Sequence, residues 1–411
     1  MSTNFNENLS KYAELIVKVG VNVQPNQFLY VAATTDSLDL ARLITKKAYE
    51  VGAKQVFVDI TDDQIGRMRY ELAPEDSFDY FPEWKKQERE LLAEQGAAFI
   101  SIVSQSPDLL KGIDSKRIAT FQKAAGTALN KYRQYVQSDK ISWTVVASPS
   151  ADWAAKVFPE VEQAKQVDAL WDAIFKATRS DLENPIEAWS KHNDTLHEKV
   201  HYLNDKKYTK LHYTAPGTDL TIDLPKGHVW CGAGSVNEKG FEFMANMPTE
   251  EVFTVPHKDG VNGYVSSTKP LSYGGNIIDN FKITFENGRI VNVEAEQGEE
   301  VLKNLVETDE GSHRLGEVAL VPHDSPISNS GLLFYNTLFD ENASNHLAIG
   351  SAYAFCLEGG KTMDREELLK NGLNQSITHV DFMIGSAEMN IDGITEDGQS
   401  EPVFRAGNWA F

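Results

Sequence analysis

Cysteine is scarce in this sequence, and that scarcity excludes a disulfide scaffold. Only two cysteines, Cys231 and Cys356, occur among its 411 residues. They lack the short spacing of a zinc ribbon or of a redox pair. We therefore expect the protein to work in a reducing cytoplasm.

Positive charge and long apolar runs are also lacking. The chain has 39 Lys and Arg against 60 Asp and Glu, a formal net charge of −21. Such a surface repels phosphate backbones and anionic lipids, so we expect neither a nucleic-acid nor a membrane partner. No apolar run has membrane-spanning length, and residues 1–15 lack the basic-then-apolar order of a secretory signal. These absences predict a soluble, cytoplasmic protein.

Histidine is missing from the first part of the chain, because the ten histidines begin at His192. Imidazole chemistry would therefore belong to the second half. The first half alternates strand-like apolar runs at 27–34, 54–61, 97–104 and 141–147 with amphipathic stretches that suit helices. This alternation is typical of a parallel sheet with crossover helices.

Domain organisation follows from a helix-start signal near the middle of the chain. Asn184 precedes Pro185, and proline is favoured at the first position of a helix. Beyond that helix the sequence contains short segments of alternating apolar and polar residues separated by tight turns, a pattern that indicates short strands. We predict an α/β N-terminal domain with a parallel sheet over residues 1–184, an inter-domain helix over 185–205, and an α+β C-terminal metal-binding domain over 206–411.

The predicted inter-domain helix contains a motif with two possible interpretations. His197, Glu198 and His201 match the pattern in which two histidines one turn apart bind zinc and the glutamate activates water. The surrounding helix is strongly polar, however, and Lys199 would place a positive charge beside the ion. A solvated helix explains the segment better, and a one-metal zincin-type endopeptidase remains the alternative.

Other candidate metal ligands lie on apolar segments of the second half. His379 and Asp381 fall on one face of a predicted strand, because side chains alternate along a strand. Glu317 opens another apolar strand. His346 begins a stretch that we predict to be helical, which would place Tyr353 two turns along the same face. Taken singly, each of these residues has an ordinary structural explanation.

A pair of adjacent carboxylates, Glu250 and Glu251, follows the segment Asn-Met-Pro-Thr at 246–249. An exposed loop would explain the pair. Two-metal peptidase chemistry also requires such a pair, in which one carboxylate binds metal while its neighbour accepts a proton from the nucleophilic water. Glu250 is therefore our candidate general base.

At these residues the chain resembles the aminopeptidase T family of dinuclear metalloaminopeptidases. The likeness covers nearly the whole chain, and its most specific block is close to the Asn-x-Pro-Thr-Glu-Glu-Val-Phe signature of that family. The blocks that carry the resemblance, in order, are 246–253, 316–321, 338–348, 350–353 and 379–383.

The resemblance implies a metal-dependent aminopeptidase that acts on peptide substrates with a free N-terminus. It also implies a homodimer and two divalent ions per chain, for which mixed imidazole and carboxylate ligands favour zinc, cobalt or manganese, with magnesium possible. Tyr353 would lie close enough to bind metal or to act on substrate. A non-catalytic peptide-binding protein is a further alternative. The metal ligands implied by the resemblance are Glu251, Glu317, His346, His379 and Asp381.

Overall fold

The computed structural model describes residues 4–411. Their contacts form two compact units. The first holds the chain through Asp194 together with Gly234–Thr249, and the second holds Thr195–Ala233 and Glu250–Phe411. The domain boundaries at 184 and 205 stay a prediction. Within residues 4–411, no helix is both long and apolar enough to cross a membrane.

The first unit is built on a four-stranded parallel sheet in the order β2-β1-β3-β4. Each strand lies within two residues of its predicted start, and the predicted α/β class is confirmed. Leu29, Tyr30 and Val31 are all buried because β1 is an inner strand of a parallel sheet that is covered on both faces. The strands are β1 (Phe28–Thr34), β2 (Gln55–Thr61), β3 (Ala98–Val103) and β4 (Trp143–Ala147).

Helices connect these strands and begin at recognisable caps. Thr34 and Ser37 form a capping box just before α2, and the Asp62 side chain accepts the N–H of Ile65 at the start of α3. The helices are α1 (Phe5–Leu15), α2 (Leu38–Glu50), α3 (Asp63–Leu72), α4 (Glu83–Glu94), α5 (Ser115–Ala128), α6 (Asn130–Gln137), α7 (Ala151–Val157) and α8 (Gln163–Ala177).

The long helix α9 (Pro185–Lys206) begins at the predicted proline. Trp189, Leu196 and Leu203, seven residues apart, are buried along one side of the helix. Ile186, in the first turn, is 37% exposed.

The second unit contains two antiparallel sheets, as predicted for an α+β domain. The larger has the order β12-β13-β11-β6-β5-β18-β19-β20, with β14 paired to β13, and the smaller has the order β17-β16-β15-β10-β7. Helices α10 (Glu299–Val306), α11 (Pro326–Asn329), α12 (Thr337–Asp340) and α13 (Arg365–Lys370) interrupt the strands. The strands are β5 (Lys210–Ala215), β6 (Thr218–Asp223), β7 (Cys231–Gly232), β10 (Val252–Thr254), β11 (Val261–Ser266), β12 (Leu271–Tyr273), β13 (Asn276–Glu286), β14 (Arg289–Gln297), β15 (Leu315–Leu320), β16 (His346–Gly350), β17 (His379–Met383), β18 (Asn390–Ile394), β19 (Ser400–Arg405) and β20 (Asn408–Trp409), while β8 (Ser235–Val236) and β9 (Glu242–Phe243) belong to the first unit.

The predicted helix after His346 is wrong. Residues His346–Gly350 form β16, a central strand of the smaller sheet that is buried along its whole length. A strand that is covered on both faces has a continuous apolar sequence, which periodicity alone does not distinguish from a buried helix. Tyr353 therefore reaches the same region as His346 through a turn and not along a helix.

Candidate metal centre

Four of the five candidate ligands lie on one face of the five-stranded sheet, and Glu251 immediately precedes its strand β10. Ala348 is the cross-strand partner of both Glu317 on β15 and Asp381 on β17. His346 lies two residues from Ala348, and His379 lies two residues from Asp381, so all four polar side chains point to the same side. Since the methyl group of Ala348 is small, the carboxylates on either side of it have room to approach each other.

Ligand atoms from these strands form two groups that share one residue. Glu251, Glu317 and His346 make the first group, and Glu317, His379 and Asp381 make the second; within each group the ligand atoms lie within 4.8 Å of one another. The shared residue is Glu317, and each of its two carboxylate oxygens faces a different group. Glu317 Oε1 lies 3.5 Å from His346 Nε2, and Glu317 Oε2 lies 3.4 Å from His379 Nε2.

Both imidazole rings are oriented by main-chain carbonyls. His346 Nδ1 lies 3.0 Å from the carbonyl oxygen of Glu341, and His379 Nδ1 lies 2.7 Å from that of Ser351. An N–H at Nδ1 donates to these oxygens, which leaves each Nε2 facing the carboxylates. Metal-binding histidines are held in this way, with one ring nitrogen hydrogen-bonded and the other bare.

The buried carboxylates and imidazoles change one another's pKa values. Burial alone would lower the pKa of His346, but its hydrogen bonds with Glu251 and Glu317 raise that pKa well above its usual range. Against its own burial, Glu317 has a pKa lowered to about 2 by hydrogen bonds with His346 and His379. Burial raises the pKa of Glu251, although the hydrogen bond with His346 opposes that rise. The Glu317 carboxylate is thus stabilised by positive charge at the Nε2 atoms, where a metal ion would take the place of protons.

The residues present fit divalent metal ions. All of the donors are carboxylate oxygen or imidazole nitrogen, the set that suits zinc, cobalt or manganese. Asp381 Oδ1 is buried without a hydrogen-bond partner among residues 4–411, and His379 Nε2 lies 3.5 Å away. A buried carboxylate oxygen without a donor is costly, and a cation would remove that cost.

Glu250 immediately precedes the candidate ligand Glu251 in the chain and is buried, with 5% of its surface exposed. The amide N–H of Glu250 donates to Asn342 Oδ1 at 2.7 Å, while Asn342 Nδ2 donates to the carbonyl oxygen of Leu338 at 2.9 Å. Asn342 therefore fixes the main chain from which the Glu250 carboxylate projects.

Tyr353 lies against the second ligand group. Its ring centre is 4.8 Å from that of His379, and it stacks on Phe355 at 5.1 Å. Burial, followed by the negative charge of Glu317 and Asp381, raises the pKa of Tyr353 well above its usual value. The phenol consequently keeps its proton and can donate a hydrogen bond.

The sequence reasoning missed a carboxylate in this region. Glu341 is 6% exposed. Burial, followed by repulsion from Asp381 and Glu251, raises its pKa well above the usual value. It lies in the 338–348 block that carries the family resemblance. An acidic residue within that block is the signal by which the sequence could have identified it.

The zincin motif on α9 does not form a metal site with other residues. The rings of His197 and His201 are 6.4 Å apart, Glu198 and His201 are exposed, and both candidate metal groups found in residues 4–411 lie elsewhere. Lys199 Nζ instead donates to the carbonyl oxygen of Phe411 at 2.8 Å. This hydrogen bond connects α9 to the C-terminal residue.

Buried carboxylates and imidazoles that meet on one sheet face are typical of metal-dependent hydrolases. The chain belongs to the thermophilic metalloprotease family M29, which it matches over residues 5–409. It is therefore a metallopeptidase, and the non-catalytic alternative is wrong.

Named relatives agree with this assignment. The chain is 68% identical to aminopeptidase AmpS of Bacillus subtilis (99% of this chain, 100% of the relative). It is 43% identical to aminopeptidase T of Thermus thermophilus (98% and 99%). The solved structure of wild-type AmpT from Thermus thermophilus superposes with a TM-score of 0.92 at 42% identity, covering 99% of this chain and 100% of that one. The predicted membership of the metalloaminopeptidases is confirmed.

Proposed function

We propose that the chain removes single residues from the free N-termini of peptides with two divalent ions held by its C-terminal half. The proposed ligands are Glu251, Glu317, His346, His379 and Asp381. The observation that supports this proposal best is the position of Glu317, whose two carboxylate oxygens each face a different imidazole Nε2. A carboxylate in this position is suited to bridge two ions.

The proposed chemistry divides between the ions and the side chains. Divalent ions bound there would polarise the scissile carbonyl and make water more acidic. Glu250 is the proposed general base, which takes a proton from the attacking water and returns it to the leaving amine. Tyr353, which stays protonated, would donate a hydrogen bond to the oxyanion that develops on the carbonyl oxygen.

The proposed ions also favour a free N-terminus. One of the two ions would bind the free α-amino group of the peptide through its nitrogen, whereas an acylated N-terminus offers no amine. An exopeptidase is therefore favoured over an endopeptidase.

Further properties belong to the same proposal. Zinc, cobalt or manganese are the favoured ions and magnesium is possible, because the donor set has imidazole and carboxylate but no thiolate. We also propose that the enzyme is a cytoplasmic homodimer that acts on peptides and binds neither nucleic acid nor membranes, as the composition and the family resemblance indicate.

A metal-removal experiment with paired substrates tests the proposal. The purified enzyme is dialysed against a chelator, then titrated with zinc, cobalt or manganese while hydrolysis of leucine p-nitroanilide and of its N-acetyl derivative is followed. We expect activity to disappear on dialysis, to return as about two ions per chain are bound, and to be confined to the unblocked substrate.

The opposite results would be decisive. Full activity at one ion per chain would exclude the two-metal mechanism, and equal cleavage of the acetylated substrate would exclude the requirement for a free N-terminus. The His201→Asn variant is the matched control for a histidine that lies outside the proposed site, and it should behave like the wild type in both measurements.

A further inference from the structure

Three aromatic rings of the second unit are in mutual contact beside the candidate metal centre. The ring of Tyr353 stacks on the ring of Phe355, with ring centres 5.1 Å apart. Phe253 meets both of these rings edge-on, at 6.0 Å from Tyr353 and 6.1 Å from Phe355. Stacked and edge-on contacts are the arrangements that aromatic pairs prefer, so each ring holds the others in place. We call these three residues the aromatic wall.

The strand register places Phe253 on the ligand face of the five-stranded sheet. Phe253 on β10 is the cross-strand partner of Ala319 on β15, and Ala319 is in turn the partner of His346 on β16. Residues directly opposite each other on neighbouring strands point to the same face of a sheet. The Phe253 ring therefore projects from the side of the sheet on which His346 carries its ligand atom.

Tyr353 connects the aromatic wall to the second ligand group. Its ring centre lies 4.8 Å from that of His379. Two residues earlier in the chain, the carbonyl oxygen of Ser351 lies 2.7 Å from His379 Nδ1. The segment that carries Tyr353 and Phe355 thus contacts this ligand at two points, which fixes the aromatic wall against the metal centre.

The aromatic wall is supported by a hydrophobic core and still keeps exposed surface. All three of its residues are partly exposed. They pack against a cluster of buried side chains, whose members are Val255, Ala352, Cys356, Leu357, Leu368 and Leu373. Aromatic surface that adjoins a few convergent polar groups is the usual composition of a site that binds a small ligand.

Glu341 gives the ligands a neighbour of the opposite character. This buried carboxylate repels Asp381 and Glu251 electrostatically. A buried carboxylate needs hydrogen-bond donors or a cation, and an apolar group supplies neither. An apolar part of a bound substrate is therefore more stable against the aromatic wall than beside Glu341.

The proposed position of the substrate restricts where its first side chain can lie. One ion would bind the α-amino nitrogen, and the scissile carbonyl would be polarised at the same centre. The Cα atom lies about 1.5 Å from both the amino nitrogen and the carbonyl carbon, so its position is fixed with theirs. The side chain that leaves this Cα atom must then contact the immediate surroundings of the ligands.

We propose that the aromatic wall binds the side chain of the N-terminal residue of the peptide and makes the enzyme selective for apolar and aromatic residues at that position. This inference rests on the proposed function, because it requires the amine and the carbonyl of the substrate to be bound at the ions. Phe253 and Phe355 are the residues that determine the specificity, whereas Tyr353 also donates to the oxyanion. A substrate ring can add one more edge-on or stacked contact to the wall.

Kinetics with three p-nitroanilides tests the proposal. The metal-loaded enzyme is assayed with the alanine, leucine and phenylalanine derivatives, and kcat/KM is compared. We expect leucine and phenylalanine to be favoured over alanine by at least about 10-fold, since additional methylene groups in an apolar pocket change kcat/KM by about 10- to 200-fold. Phe355→Ala should remove most of this preference and leave kcat/KM for alanine within about 2-fold of the wild type.

The matched control is Tyr264→Ala, which removes an aromatic ring from β11 in the larger sheet of the same unit. Tyr264 is 38% exposed and lies outside the aromatic wall. This variant should keep the wild-type order of the three substrates. Metal analysis should show the wild-type ion content in every variant, which separates a change of specificity from a loss of the metal centre.

Binding without turnover provides a second measurement. The metal-loaded protein is titrated calorimetrically with free phenylalanine and with free alanine. The wild type should bind phenylalanine at least about 10-fold more tightly, and both Phe355→Ala and the conservative Phe253→Leu should reduce that difference. Because Phe253→Leu keeps an apolar side chain of similar length, it tests the wall even if Phe355→Ala does not fold.

The outcomes separate this inference from the function on which it rests. A wild type that cleaves the three substrates equally, or folded variants with the wild-type preference, would refute the aromatic wall as the binding site for the first side chain. If the metal-loaded protein hydrolysed none of the p-nitroanilides, the peptidase function itself would fail. Calorimetry would then decide about the wall alone: equal affinity for the two amino acids would refute it, and a difference that Phe355→Ala removes would support it.

Discussion

Replacing Glu317 by glutamine removes the residue on which both metal groups depend. The change keeps the shape of the side chain but removes its charge, and it places an amide near imidazole nitrogens that lie 3.4 and 3.5 Å from the present oxygens. Since Glu317 belongs to both ligand groups, we expect Glu317→Gln to weaken both ions together. Loss of a ligand outside the shared position would instead weaken one group.

The size of the effect follows from the charge that is lost. Two unit charges about 4 Å apart interact with about 4 kcal/mol at an effective dielectric constant of 20. That free energy corresponds to about 1000-fold in affinity for each ion. Calorimetric titration with zinc, together with metal content measured after dialysis, should show losses of this order, and hydrolysis should fall in proportion to the metal lost.

The control and the refuting result are both defined by the structure. Glu300→Gln removes an exposed carboxylate on α10 and should leave metal content and activity unchanged. Circular dichroism should show that the Glu317→Gln protein is folded. If that folded variant kept both ions with wild-type affinity, Glu317 would not be a shared ligand, and the two-metal proposal would lose its main support.

Three further predictions concern the residues around the ligands. Glu250→Gln should keep both ions and lower kcat about 100- to 10,000-fold, as kinetics and metal analysis would show; near-normal turnover would mean that another group is the base. Asn342→Ala should leave the buried amide of Glu250 without the acceptor that lies 2.7 Å away, and it should lower the free energy of unfolding by about 1–3 kcal/mol in a denaturant titration. Hydrogen bonds with Glu251 and Glu317 raise the pKa of His346, so the metal-free site holds protons that a metal ion must displace. Metal affinity should therefore rise with pH, and calorimetry in buffers of different ionisation enthalpy should detect proton release. A metal affinity that does not change with pH would contradict the assignment of His346.

The strand and helix pattern of the first unit was predictable because it depends on local sequence. Apolar runs of strand length alternate there with amphipathic stretches, and the observed starts of β1 to β4 lie close to the predicted ones. The helix predicted after His346 was wrong because the structure of that segment does not depend on local sequence alone. Residues 347–350 are apolar on both faces because the strand is covered on both sides, and local periodicity carries no signal in that case.

The candidate ligands were predictable as a set only through the family resemblance. Each residue alone, such as Glu317 at a strand or His346 in an apolar segment, had an ordinary structural explanation. Glu341 and Asn342 escaped notice because their importance comes from contacts with residues distant in sequence, among them the amide of Glu250.

The sequence by itself determined the kinds of ligand available, the class of the fold and the alternation that puts His379 and Asp381 on one side of a strand. Only the tertiary structure decided that Glu317 stands between two imidazoles. That outcome depends on the register of β15, β16 and β17, in which Ala348 is paired with both Glu317 and Asp381. Register is set by packing between segments far apart in the chain, and a shift of one residue would turn each ligand to the other face.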